Sequence, residues 1–229
     1  MVWHPELNDV PDGPAIVIAN EFFDALPIKQ AVKSDDGWHE RQVGVDADGK
    51  FAFMTAPDPI VHFDRLLPQA VRAAPAQSIY EWRADGAAFD LGRRVQTSGG
   101  AALVIDYGHV ASGAGDTLQA VGQHAYADPL TVPGSVDLTA HVDFAQLLKA
   151  AEAMGARAYG PIDQGQFLRR LGIETRAHTL KAKASRAVAA EVDAALARLI
   201  GEGRTGMGTL FKAAALAHPS LGVPPGFEL

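Results

Sequence analysis

The chain has 229 residues, of which 48% are hydrophobic and 21% are charged. This length allows one large domain or two small ones around a sizeable buried core. The 23 glycines and 14 prolines stay below the excess that marks disordered or collagen-like chains. Twenty Lys and Arg against 27 Asp and Glu leave a net charge of −7, opposite in sign to a nucleic-acid-binding surface. Because the chain has no cysteine, disulfides, thiolate metal sites and cysteine nucleophiles are excluded.

No apolar stretch approaches the roughly 18 residues that cross a bilayer. Residues 1–5 carry neither a basic segment nor an apolar signal core. The sequence therefore predicts a protein of the cytoplasmic type without a targeting segment.

Two apolar runs are typical of strands that are buried on both faces. Residues 15–19 follow a turn signal at 12–14, and residues 101–105 follow the Ser-Gly-Gly at 98–100. Neither run alternates polar and apolar side chains, and each ends abruptly in polar residues, as parallel strands do. We therefore predict an α/β fold with a doubly wound sheet and helices on both faces.

The segment between these runs carries different signals. Residues 29–56 contain β-favouring stretches around two turn signals, at 34–37 and 46–49. They predict a small antiparallel, hairpin-type insertion. Apolar residues at helical spacing from 87 to 95 then predict a helix that ends at Gly99.

Three further elements are predicted in the C-terminal half. An apolar stripe from Phe144 to Ala151, with Gly155 as a terminating cap, predicts a helix. A longer helix is predicted from about Lys181 to Ile200, while residues 210–216 stay open between strand and helix because they fit neither period. No repeat or linker is visible, so the whole chain, 1–229, is interpreted as one domain.

Chemistry in an open α/β sheet is expected beyond the carboxyl ends of its strands, where the loops diverge. The first predicted strand is followed by Asn20, Glu21 and Asp24, an amide and two carboxylates within five residues. The carboxylates would share a face if this exit were helical. The alternative is that Asn20 and Asp24 cap a turn while Phe22 and Phe23 anchor it in the core.

The second predicted strand is followed by Asp106, Tyr107 and His109, and then by a glycine-rich stretch at 112–115. That stretch is neither a phosphate-binding loop nor a dinucleotide fingerprint, because no Gly-Lys-Ser/Thr follows it and it does not lead from a strand directly into a helix. A mobile connection is the simpler interpretation.

A third group contains two His–Asp pairs at a spacing of four, His124 with Asp128 and Asp137 with His141. Carboxylates and imidazoles can bind a divalent metal. That interpretation needs helical spacing, whereas Pro129 and Pro133 favour irregular backbone, so a loop carrying substrate contacts is the preferred alternative.

Ordered motifs along nearly the whole chain resemble the MidA-type family of S-adenosylmethionine-dependent methyltransferases. The matching motifs lie at 18–28, 105–108, 115–120, 128–130, 133–134, 137–144, 160–161, 164–168, 207–212 and 224–227. The resemblance implies a partial class I, Rossmann-like sheet, with residues 15–19 as its fourth strand and residues 101–105 as its fifth.

The same resemblance implies methylation of an arginine on a respiratory complex I subunit during assembly, with S-adenosylmethionine as cofactor and a protein as partner. Glu21 and Asp24 would be the catalytic carboxylates, because the acceptor guanidinium stays protonated and presents a planar fork. Ala19 and Asn20 would lie against the cofactor, and no metal is expected. The remaining candidates would bind substrate: Asp106, Tyr107, His124, Asp137, Thr139 and His141.

The family's N-terminal third, with its glycine-rich cofactor loop, has no counterpart in this sequence. Two other classes therefore stay open: a non-catalytic assembly or interaction fragment, and, from the His and Asp spacing alone, a metal-dependent hydrolase. Without the preceding strands, residues 15–19 would form a sheet edge with both apolar faces exposed, which predicts poor solubility or a homo-oligomer. The family implies a location in the bacterial cytoplasm or the mitochondrial matrix.

Overall fold

The structure is a computed structural model that describes residues 1–122, 125–131, 133–203 and 206–228. The strands in chain order are β1 (Ala15–Asn20), β2 (Ile28–Ser34), β3 (Gly37–Val45), β4 (Phe51–Pro59), β5 (Ile79–Arg83), β6 (Gly100–His109), β7 (Gln119–Gly122), β8 (Ala125–Ala127), β9 (Asp137–Thr139), β10 (Val142–Asp143), β11 (Arg157–Asp163) and β12 (Phe211–Ala217). The α-helices are α1 (Gln69–Arg72), α2 (Gly86–Ser98), α3 (Phe144–Ala153), α4 (Gln164–Arg170), α5 (Ile173–Lys181) and α6 (Arg186–Ile200). Among the described residues, no helix is both long enough and apolar enough to cross a membrane.

The chain divides into two compact units. The first unit consists of Met1–Glu21, Asp85–Val110 and Phe144–Leu229, and the second consists of Phe22–Ala84 and Ala111–Asp143. The backbone passes between them four times, and none of these passages is marked by a linker-like composition. The interpretation of the chain as one domain stays a prediction.

The sheet of the first unit has the strand order β1-β6-β12-β11. β1 runs parallel to β6, in a register that pairs Ala15 with Gly100 and Asn20 with Ile105. β12 is antiparallel to both β6 and β11. The two apolar runs are therefore neighbouring parallel strands, as the sequence predicted, and helices α2, α3 and α4 pack against the sheet.

Residues 210–216, for which the sequence left strand and helix open, lie almost entirely in β12. It is a strand between two others, and its small side chains, including Ala213, Ala214 and Ala215, are buried. Phe167 of α4 and Phe227 pack on Ala213 and Ala215 in the core. A strand enclosed on both faces shows no alternation of polar and apolar residues, which is why periodicity did not identify it.

β1 lies at the edge of this sheet among the described strands. Ile16 is 85% exposed and Ile18 is 67% exposed, whereas Ala15, Val17 and Ala19, on the other face, are partly covered. The expectation that both faces would be exposed is therefore wrong. One face is open to solvent, and the other rests on the unit's interior.

The predicted helices appear as α2, α3 and α6, but the start of α6 differs from the prediction. α6 begins at Arg186, because the Ser185 hydroxyl accepts a hydrogen bond from the Val188 amide at 3.3 Å and caps the helix. α2 and α3 approach closely at Gly92, where an added Cβ would lie 2.5 Å from the carbonyl oxygen of Ala151.

The second unit is antiparallel. Its main sheet has the order β4-β3-β2-β5, which confirms the small antiparallel insertion and extends it to β5. One face of this sheet carries a core with Ala31, Trp38 and Tyr80 packed on Phe63 and Val71. A second small sheet has the order β8-β7-β9.

Candidate active site

The carboxyl end of β1 presents two exposed polar side chains, Asn20 and Glu21. The Glu21 amide donates to the Ile105 carbonyl at 3.0 Å, which carries the pairing with β6 one residue past the strand. Glu21 has a φ of 47°, a left-handed conformation that is uncommon for a residue with a Cβ and is concentrated at functional sites. Asn20 Nδ2 lies 3.4 Å from Glu21 Oε1, a long hydrogen bond between two exposed side chains.

Asp106 and Tyr107 lie at the neighbouring carboxyl end, on β6. Asp106 is 0% exposed, and its Oδ1 accepts a hydrogen bond from the Tyr107 amide at 3.0 Å. The Tyr107 ring is buried edge-on against Phe211, with ring centroids 5.3 Å apart. This burial favours a role in holding the strand end, and direct contact of either residue with substrate stays a prediction.

Asp24 belongs to the second unit and lies in a turn. The exit from β1 is not helical, so the condition under which Glu21 and Asp24 would share a helix face is not met. Phe23 is buried and Phe22 is half exposed, so one of the two rings that were predicted to anchor the turn does so. Asp24 is 3% exposed, and its backbone carbonyl accepts a hydrogen bond from the Ala140 amide at 3.1 Å.

Arg83 on β5 joins this turn to the segment at 140–141. Its Nη1 donates to the His141 carbonyl at 2.7 Å, and its Nη2 donates to the Asp24 carbonyl at 3.1 Å and to the Ala140 carbonyl. One guanidinium thus bridges the turn that contains Asp24 and the segment that contains Thr139 and His141.

Glu81, two residues earlier on β5, holds the segment at 116–118. It accepts hydrogen bonds from the amides of Thr117 and Leu118, each at 3.1 Å, and from the Thr117 hydroxyl. Gln30 Nε2 donates to Glu81 at 2.6 Å and to Asp116 at 3.1 Å. The Thr117 oxygen in turn accepts from the His141 amide at 2.9 Å.

Sequence reasoning missed Glu81 and Arg83. The signal was present, because Ile79-Tyr80-Glu81-Trp82-Arg83 alternates two charged residues with aromatic ones in an apolar strand. Charged residues at i and i+2 share a face of a strand, and here that face is partly buried.

The other predicted substrate residues fall in the second unit as well. Asp137 is exposed on β9 opposite Val121, and Thr139 ends that strand opposite Gln119. His124 lies outside the described residues. The candidates are therefore brought together in two groups: Ala19, Asn20 and Glu21 beside Asp106 and Tyr107 in the first unit, and Asp24 beside Thr139 and His141 in the second.

The metal interpretation required helical spacing of the His and Asp residues, and the described part of the chain does not have it. Asp137 lies on a strand, and Asp128 lies in a turn where its Oδ1 accepts from the Leu130 amide at 2.8 Å. Helical spacing is absent at both positions. Among the described residues, which omit His124, no group of three or more His, Cys, Asp or Glu is arranged to hold a metal ion.

The parallel β1–β6 pair with polar residues at its carboxyl ends, flanked by helices and an antiparallel β12, defines the class as a Rossmann-like methyltransferase fold. A family profile of S-adenosyl-L-methionine-dependent methyltransferases matches residues 1–162. The chain belongs to this family.

Relatives and solved structures agree with this assignment. The chain is 37% identical over 180 residues to the mitochondrial protein arginine methyltransferase NDUFAF7 homolog of Caenorhabditis elegans, covering 78% of this chain and 42% of the worm protein. It is 35% identical over 190 residues to human mitochondrial protein arginine methyltransferase NDUFAF7, covering 80% of this chain and 41% of the human protein. A COG1565 superfamily crystal structure from Burkholderia thailandensis, bound to S-adenosyl-homocysteine, superposes with a TM-score of 0.82 at 29% identity, covering 96% of this chain and 58% of that one. The chain thus spans about two fifths of these curated relatives.

The family's cofactor is S-adenosylmethionine. The end of β1 was predicted to lie against this cofactor, and its side chains are compatible with that position. Asn20 is an exposed amide at the carboxyl end of a parallel strand, and its Cα pairs with Ile105 of β6. Ligands of open α/β sheets bind beyond such strand ends. Contact of Ala19 and Asn20 with the cofactor stays a prediction.

Proposed function

We propose that this chain contributes to the S-adenosylmethionine-dependent methylation of a protein arginine on a respiratory complex I subunit during assembly. The observation that carries the proposal is the positive φ of Glu21, a conformational cost at the strand end where the family's cofactor and acceptor are expected. The names of the relatives support arginine as the acceptor.

Glu21 is assigned to the acceptor because arginine must be bound as a cation. A carboxylate beside the guanidinium orients one nitrogen and balances the charge on the others. When bound, S-adenosylmethionine supplies an electrophilic methyl group on a sulfonium. Alignment and electrostatics therefore matter more than a strong base. Asp24 would support Glu21, and Tyr107 with Asp106, His124, Asp137, Thr139 and His141 would line the acceptor's entrance.

A second candidate is a non-catalytic assembly or interaction fragment. The observation that favours it is the exposed apolar face of β1, where Ile16 and Ile18 could contact a partner chain. A calorimetric titration separates the two functions: heat release with S-adenosylmethionine at micromolar affinity supports the enzyme, and silence supports the fragment.

The proposal also includes a homo-oligomer that forms through the edge strand β1, because the isoleucines of this strand are exposed. The relatives' names place them in mitochondria, and for this chain the bacterial cytoplasm and the mitochondrial matrix are both kept as proposed locations.

The experiment follows transfer of a labelled methyl group from S-adenosylmethionine to a complex I subunit by the 229-residue chain and by Glu21→Gln. The amide keeps the shape but loses the charge, so kcat should fall by about 10²–10³ at saturating cofactor. Glu191→Gln on exposed α6 is the matched control and should leave kcat unchanged. An unchanged kcat in Glu21→Gln would remove this residue from the mechanism, and an inactive unaltered chain would refute the enzymatic proposal.

A further inference from the structure

Three of the sequence motifs described above converge on one strand of the second unit. The turn that contains Asp24 and the segment at 140–141 are bridged by Arg83, and the segment at 116–118 is held by Glu81. Both side chains leave the same face of β5. The two residues together will be called the β5 pair.

We propose that the β5 pair consists of positioning residues, which fix the segments that receive the acceptor arginine without touching it. This inference rests on the proposed function and assigns a role to residues outside the matching motifs. Glu81 and Arg83 act through backbone groups of Asp24, Thr117 and His141.

The chemistry of the bonds supports positioning over general packing. Arg83 directs its guanidinium at three backbone carbonyls, and the planar fork holds its two terminal nitrogens at a fixed spacing that a single ammonium nitrogen does not provide. Glu81 accepts two neighbouring backbone amides, bonds that are strengthened because the acceptor is ionised. Arg83 thereby fixes main-chain positions on two segments, and Glu81 fixes main-chain positions on a third.

The Thr117 hydroxyl links the two halves of the arrangement. It donates to Glu81 and accepts from the His141 amide, so the segment held by Glu81 is tied to the segment held by Arg83. A shift of either segment therefore changes the spacing between Asp24 and His141. A displacement of about 1 Å in such a site is enough to lower a rate about a hundredfold.

Side chains on the neighbouring strands β2 and β3 hold Glu81 in place. Arg41 on β3 donates to Asp116 at 3.0 Å and to Gln30 at 3.2 Å, and Gln30 donates to Glu81. The Arg41 guanidinium also lies 3.8 Å from the centroid of the Phe53 ring. The positioning residues thus rest on a strand that is itself fixed by its neighbours.

The test compares Arg83→Lys and Glu81→Gln with the unaltered chain. Lysine keeps the charge but loses the fork, and glutamine keeps the size but loses one acceptor. Matched controls are Arg93→Lys, whose exposed side chain pairs with Asp90 on its own helix, and Glu40→Gln, whose carboxylate accepts from Gln42 on its own strand. The measurements are KM and kcat for the protein acceptor, the Kd for S-adenosylmethionine, and the hydrogen exchange of residues 115–118 and 139–141.

We expect each β5 variant to raise KM for the protein acceptor at least tenfold, with the Kd for S-adenosylmethionine unchanged and exchange faster in both segments. The controls should match the unaltered chain. Should a β5 variant that exchanges faster still keep the KM and kcat of the unaltered chain, the pair is merely structural and the inference is overturned. It is overturned equally if both variants keep normal exchange and normal KM. Failure of the unaltered chain to methylate any acceptor would instead refute the proposed function, and this inference with it.

Discussion

The two units of the chain differ in how they treat polar groups. The first unit places apolar strands such as β6 and β12 between helices, and its charge is nearly balanced, with 13 Lys and Arg against 14 Asp and Glu. The second unit has seven Lys and Arg against 13 Asp and Glu, and one face of its sheet carries the network around Glu81, Arg83 and Arg41.

This difference teaches that one chain can join a unit of buried apolar strands to a unit whose sheet also carries hydrogen bonds between remote segments. Both units bury an apolar core, whose packing is not directional. The second unit adds hydrogen bonds between remote segments, which are lost when one partner is displaced. An acidic surface also suits a cationic partner, because complementary charge steers encounter.

The largest expected effect on stability comes from removing one large buried side chain from the core of each unit. Phe144→Ala in the first unit and Trp38→Ala in the second remove side chains that are fully or almost fully buried, and each should lower the free energy of unfolding by about 3–5 kcal/mol. Urea unfolding measures the loss, and hydrogen exchange shows where it falls. We expect faster exchange in α3 and β11 for Phe144→Ala, and in β2, β3 and β5 for Trp38→Ala.

The matched control is Phe51→Ala, whose ring is half exposed on β4 and should cost far less. If either core variant accelerates exchange equally in both units, the units are not separate cooperative bodies and the comparison fails.

A smaller effect on stability is expected at the open face of β1. Replacing both Ile16 and Ile18 by Thr keeps branched side chains suited to a strand but removes exposed apolar area. The free energy of unfolding should change by about 0.5 kcal/mol or less per residue, while concentration-dependent association, measured by light scattering, should fall. Val188→Thr, on exposed α6, controls for loss of surface hydrophobicity. Association that persists in the double variant would contradict an interface at this edge.

The smallest expected effect is a pH dependence within the second unit. When it is protonated, His39 donates from Nε2 to Asp36 at 2.8 Å and from Nδ1 to the Ala56 carbonyl at 2.9 Å. The bond to Asp36 raises the pKa of His39, with smaller contributions from Ala56 and the charge of Asp58, and the bond to His39 lowers the pKa of Asp36. The effect is small because Asp36 is largely exposed to solvent.

The sign follows from linkage. The raised pKa of His39 stabilises the fold at pH values below 6.5, the ordinary pKa of histidine. This contribution is lost as the pH rises through the folded pKa. The lowered pKa of Asp36 stabilises the fold above pH 3.8, and this contribution is lost as the pH falls through the folded pKa. His39→Gln should therefore flatten the decline in stability above pH 6.5 measured by thermal unfolding, whereas His178→Gln on α5 should not. An identical decline in His39→Gln would show that the pair contributes nothing.

Much of the first unit could be predicted from local patterns. Residues 15–19 and 101–105 showed unbroken apolar runs that predicted strands, and residues 144–151 showed a helical stripe, because burial of one face imposes that period. The run at 15–19 does not report burial on both faces, since Ile16 and Ile18 are exposed. β12 could not be predicted, because residues 210–216 fit neither the strand period nor the helix period, and only the place of β12 between β6 and β11 shows that it is a strand.

Sequence position drew attention to candidate residues that adjoin strand ends, and it did not indicate contacts between distant segments. Asn20 and Glu21 follow β1 directly, so sequence position alone drew attention to them. Glu81 and Arg83 bind backbone groups 36 and 58 residues away along the chain, and no local pattern records such a bond.

The sequence by itself determined the α/β class, the family and the strand-end residues, because these follow from composition, periodicity and ordered motifs. The tertiary structure decided which segments the β5 pair fixes, that one face of β1 is covered, and that the candidate residues form two groups. The physical reason is that periodicity reports burial of neighbouring residues, whereas hydrogen bonds between remote segments exist only after the chain has folded.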